Sequence, residues 1–157
     1  MMKKIIKPMC VVLAGLISIT WVNLAYSEEP EPFILRIPDS EIRKSLNNIH
    51  HEICECLAFF IAGTAKAKEQ GATESDLAAV NNAAIELAEL ARLLHQDKVT
   101  TARIGLASDQ MMNAMDYDYA NFSLLLQKYQ PACVRLHSDA YEKVFRLLVA
   151  AQEEGLL

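Results

Sequence analysis

Two histidine–cysteine pairs carry the sharpest chemical possibility in this chain. His50 and Cys54 stand four residues apart, and Cys133 and His137 repeat the spacing. In a helix that step places both members of a pair on one face. If the two pairs meet, they form a tetrahedral Cys2His2 set, which suits zinc, or copper in its reduced state. Glu52 and Glu55 lie nearby and His51 is a spare ligand. The competing chemistry is a disulfide, since Cys133 cannot be bridged and also serve as a thiolate ligand. The disulfide is the favoured reading, with no cofactor, and zinc or copper binding is the alternative.

Other constellations are weaker. Met111, Met112 and Met115 beside Asp116 could offer thioethers to copper, but methionines at such spacing more often fill irregular gaps in a core. Covalent haem needs Cys-x-x-Cys-His, whereas Cys54 and Cys56 are two apart with no histidine following. The carboxylate pairs Glu52/Glu55, Glu86/Glu89 and Asp116/Asp118 read as solvated helix faces. Ser108 and Ser123 have no partnered histidine, and Gly-rich phosphate loops are missing. The chain therefore reads as non-enzymatic. Tyr117 and Tyr119, set among Asp116, Asp118 and Asn121, suit contact with a protein partner.

The compartment decides how the cysteines are read. Lys3, Lys4 and Lys7 precede an apolar run from Met9 to Leu24, and Ala25-Tyr26-Ser27 supplies the small residues of a signal-peptidase site. Residues 1–27 are thus expected to be a cleaved signal peptide that delivers the chain to the periplasm or the exterior, an oxidising setting. The run is shorter than the roughly 20 apolar residues that span a bilayer, so no membrane association is expected after cleavage. Export removes three lysines and no acids, making a chain of formal charge −5 more acidic still. Such a domain, without a Lys/Arg cluster, is a poor match for nucleic acid. Its expected partner is a protein or envelope component.

Stepping along the mature chain, helical periodicity is nearly continuous and strand-like alternation is missing. Residues 28–38 form a Glu/Pro-rich leader in which Phe33–Ile37 is expected to be extended. The helical domain spans residues 39–157. Asp39 or Ser40 is the expected N-cap of a first helix whose apolar stripe is Ile42, Leu46, Ile49, Ile53, Cys56, Leu57 and Phe60, ending near Gly71. Thr73 with Asp76 suits the start of a second helix, with Leu77, Val80, Ala84, Leu87, Ala91 and Leu94 inward. After a turn at His95–Lys98, a third helix should carry Ile104, Met111, Met115, Phe122, Leu125 and Tyr129. Pro131 is expected to end it and open a fourth, with Cys133, Leu136, Ala140, Val144, Leu147 and Leu148 inward. Four such segments with short connections predict an all-α, antiparallel four-helix bundle of up-down-up-down topology.

The mature chain holds Cys54, Cys56 and Cys133. At 100° per residue, Cys56 lies within about 40° of the first stripe and Cys54 about 120° away. Only Cys56 is then expected to face the core, which favours a Cys56–Cys133 bridge between the first and fourth helices over Cys54–Cys133. Cys56-Leu57-Ala58-Phe59-Phe60 together with Tyr129-Gln130-Pro131-Ala132-Cys133 resembles a loose group of small exported helical proteins of Gram-negative bacteria. Those proteins carry a Cys, a small residue and an aromatic pair, then a late Tyr-x-x-x-Cys. The resemblance implies a periplasmic helical domain with one disulfide and implies no activity; Cys54 is extra to the pattern.

Overall fold

The computed structural model describes residues 31–157. The expected signal peptide, its cleavage site and the start of the leader lie outside the described residues. Four long helices and two short helical turns account for most of what is described, and no strand occurs among the described residues. The long helices are α2 (Glu41–Glu69), α3 (Glu74–Leu94), α4 (Asp97–Ala114) and α5 (Phe122–Glu153), preceded by a one-turn α1 (Phe33–Arg36). The helical bundle predicted from periodicity is the fold.

Local chemistry sets the boundaries of α2 and α3. Ser40 caps α2 by accepting from the Arg43 N–H at 3.2 Å. That helix stops at Gly71, whose φ of +87° is a left-handed conformation that an L side chain resists. Thr73 and Asp76 form a reciprocal capping box: Thr73 Oγ1 accepts from the Asp76 N–H, and Asp76 Oδ2 accepts from the Thr73 N–H at 2.8 Å. The Thr73 hydroxyl also donates to Asp76 Oδ2 at 2.7 Å, and this bond, followed by the one from the Thr73 N–H, lowers the pKa of Asp76.

Two expected elements are corrected. Phe33–Ile37 is not extended; most of it forms the single turn α1. Ile34 and Ile37 are both fully buried. An odd spacing sends two side chains to opposite faces of a strand, but a three-residue step stacks them on one side of a helical turn. The second correction concerns Pro131. The third helix does not continue to Tyr129 and break there; it ends at Ala114, and Pro131 lies inside α5. The chain reverses instead at Asp116 and Tyr117, with φ of +53° and +56°. A proline inside a helix removes one backbone bond and costs about 3 kcal/mol. Here the loss falls on an exposed face, while Leu125, Tyr129, Cys133 and Leu136 are buried on the other side of the same helix. Tertiary burial outweighs the local preference.

The bundle is organised around α2. This helix runs along α3, α4 and α5, which meet one another at only a few points. Its middle is accordingly buried over most of its circumference: Ile53, Cys54, Cys56, Leu57, Ala58 and Phe59 are each at most 5% exposed. Consecutive residues of a helix point in different directions, so four buried in a row need neighbours on more than one side. The helix α5 is antiparallel to α2, because Phe122 meets Gly63 near one end and Cys133 meets Cys56 farther along. α3 is also antiparallel, its C-terminal His95 reaching His50. With α3 finishing beside His50 and α5 starting beside Gly63, α4 must run in the direction of α2. The topology is up-down-up-down.

Candidate functional site: a polar cluster between α2 and α4

Cys56 and Cys133 are joined, with their Cα atoms 5.3 Å apart. Both are buried. Among the described residues Cys54 is a free thiol, and it is fully buried as well, which corrects the expectation that only one of the two α2 cysteines can point inward. The two cysteines do point in different directions, but at this level α2 is covered by both α4 and α5, and only the His51, Glu52 and Glu55 side remains open. Cys56 faces α5, and Cys54 faces α4, where its Sγ lies 3.9 Å from the Thr100 carbonyl oxygen. Burial pushes the Cys54 thiol up to about 11, so it stays protonated and unreactive.

The Cys2His2 arrangement does not assemble. Cys133 is committed to the disulfide. His137 points to α3, with Nε2 2.9 Å from Glu86 Oε2. His50 and Cys54 do share a face, their Nε2 and Sγ 3.8 Å apart, but that face looks onto α4. Among the described residues no three His, Cys, Asp or Glu side chains gather as a metal site. Disulfide formation and the route of α5 around α2 separate the donors that sequence spacing had paired.

What surrounds His50 instead is a hydrogen-bonded network. The ring is completely buried. Arg103, on α4, donates Nη1–H to His50 Nδ1 at 2.7 Å, and the same nitrogen lies 3.4 Å from the Asn47 carbonyl oxygen. Arginine can only donate. Nδ1 therefore accepts, the proton sits on Nε2, and Nε2–H donates to Thr100 Oγ1 at 3.0 Å. The second ring, His95, stands 5.0 Å from that of His50. Its Nδ1 is buried without a hydrogen-bond partner among the described residues.

The electrostatics follow from this packing. Burial first, then the positive charge of Arg103, hold the His50 pKa down to about 3. His95 is lowered by burial and by Arg103 and Arg43. Both rings are thus held neutral in an environment that disfavours further positive charge. An open pocket of ≈ 380 Å³ adjoins the network, its wall including Asn47, Asn48, His51, Arg103 and Gln110.

A second concavity opens between α3 and α5. This cleft of ≈ 290 Å³ is floored by Phe59, Phe60 and Gly63 of α2 and walled by Val80, Leu126 and Val134. Gly63 belongs here for a steric reason: a Cβ would meet the Phe122 ring at 3.3 Å. Val134 is 63% exposed, an apolar side chain left at the cleft mouth.

No family model, curated protein or solved structure matches this chain. Its site therefore has to be read from its own residues. Of those singled out from sequence, Tyr117 is 70% exposed, while Tyr119 is half-buried against the core. Sequence spacing missed Thr100, Arg103 and His95 as partners of His50. The only local signal was a polar, weakly helix-forming start to α4, and nothing in it names residues about 50 positions away as neighbours.

Proposed function

We propose that the protein is an exported, non-enzymatic helical bundle that acts by binding another protein of the cell envelope. The observation that carries this reading is the α3/α5 cleft. Its lining is almost wholly apolar, it is open to solvent, and it lies where α3 and α5 fail to close over α2. A partner side chain of Leu or Phe size entering it would exclude water from Phe60, Val80 and Leu126, the ordinary source of interface affinity. The buried Cys56–Cys133 disulfide supports the export half of the proposal, because structural disulfides persist in oxidising compartments. Tyr117, held out into solvent between two aspartates, supplies a second contact of the kind interfaces favour.

The test pairs a location with a contact. Cell fractionation should find the chain in the periplasm or medium and shortened at its N-terminus. A photo-crosslinking amino acid at Val134 should capture a discrete envelope protein, and Leu126→Lys should abolish that capture without changing the melting temperature. Cytoplasmic retention would reject the export claim. Equal crosslinking from Val134 and from exposed Asp109 on α4 would reject the cleft as the contact.

A further inference from the structure

The pocket beside Arg103 has a charge pattern opposite to that of the whole molecule. The chain carries a formal charge of −5. Yet every charged or titratable neighbour acting on His50 is basic: Arg103, His95 and His51. Those acting on His95 are Arg103 and Arg43, again with no carboxylate. Neither arginine forms an ion pair among the described residues, whereas Arg92 and Arg146 do. A half-buried guanidinium without a counter-charge is costly in a fold with 20 acidic residues from which to draw one.

The geometry of Arg103 is also specific. Its Nη1 is anchored by His50 Nδ1 and the Asn47 carbonyl, which orients the planar fork. Nε and Nη2 make no hydrogen bond among the described residues, although Arg103 forms part of the pocket wall. The other polar groups of that wall are the Asn47, Asn48 and Gln110 amides and the His51 ring, all able to donate, with no carboxylate among them. A guanidinium held at one corner and open at the others matches two oxygens of one ligand. The buried, neutral His50 is what makes the anchoring possible, since a protonated ring would repel the guanidinium and offer no lone pair.

We propose that this pocket binds a small oxyanion, a carboxylate or phosphate group seated on Arg103 and ringed by Asn48, His51 and Gln110. The site is separate from the α3/α5 cleft and stands whether or not that cleft binds a protein. At ≈ 380 Å³ the pocket has room for a small organic acid as well as for free phosphate.

Isothermal titration of the purified protein with sodium phosphate and with sodium succinate, each balanced against sodium chloride at constant ionic strength, tests the proposal. Saturable one-site binding of at least one of the two is expected, and which one binds tells a phosphate ligand from a carboxylate. Arg103→Gln should abolish the signal. Because that change also touches His50, Gln110→Glu serves as the second variant: it lies on an exposed position, places a carboxylate at the mouth, and should weaken binding roughly tenfold or more. No saturable binding of either anion beyond chloride, or unchanged affinity in a folded Gln110→Glu protein, overturns the proposal.

Discussion

Arg103 donates to Nδ1 of His50 at 2.7 Å, and this one contact dictates the imidazole's tautomer. It leaves Nε2–H for Thr100 and links α2 to α4 through groups that are all satisfied only while His50 is neutral.

Stability should therefore fall with acid in a way traceable to His50. Its native pKa of about 3 lies below the ordinary 6.5. As pH drops through 6.5 the unfolded chain takes up a proton that the native ring refuses. The contribution is complete above about pH 6.5 and is lost progressively toward pH 3. His50→Gln keeps a neutral donor and acceptor, so urea unfolding should show a shallower stability slope between pH 6.5 and 4 than the native protein shows. Parallel slopes would refute the assignment.

Thr100→Val removes the acceptor for His50 Nε2–H while keeping the side-chain shape. A buried N–H without a partner costs about 1–3 kcal/mol. Chemical denaturation should register that loss, whereas Thr101→Val, at an exposed position one residue on, should change stability by less than about 0.5 kcal/mol.

The two α2 cysteines should behave differently. Replacing both Cys56 and Cys133 by Ala opens a crosslink that spans 77 residues of sequence, worth about 4 kcal/mol in the chain-entropy description. Calorimetry should show a large drop in melting temperature. Cys54→Ser should cost about 1 kcal/mol, because the smaller hydroxyl still lies near the Thr100 carbonyl as a donor.

Pro131→Ala should raise stability. The substitution supplies the missing helical N–H on an exposed face and touches no core contact. A gain of about 1–2 kcal/mol is expected, less than the full helix-interior penalty because Ala gives the unfolded chain more freedom. A fall in melting temperature would mean that the proline is needed for the path of α5.

Tyr117→Gly should likewise stabilise, since a non-glycine residue in the left-handed region costs about 1–2 kcal/mol and this side chain is largely in solvent. If the tyrosine serves as a partner contact, crosslinking to that partner should weaken in the same variant.

The amino-acid sequence alone determined the helical class, the number of long helices and the starts of α2 and α3. Those features are local: apolar residues at three- and four-residue steps, Ser40 as a cap, the Thr73–Asp76 box and Gly71 as a stop. Cys56 on the main stripe was legible for the same reason. Only the tertiary structure decided the rest. Pro131 is a helix breaker by local rules, and burial of the residues around it carries α5 straight through. Cys54 lies off the stripe that meets α5, yet α4 packs against that side of α2 and buries it. His50 and Cys54 form a ligand pair by spacing, yet the chain returns Thr100 and Arg103 to them in place of Cys133 and His137. Helical periodicity records where each side chain sits around its own axis; which helix comes to lie against it is settled by the closing of the whole core.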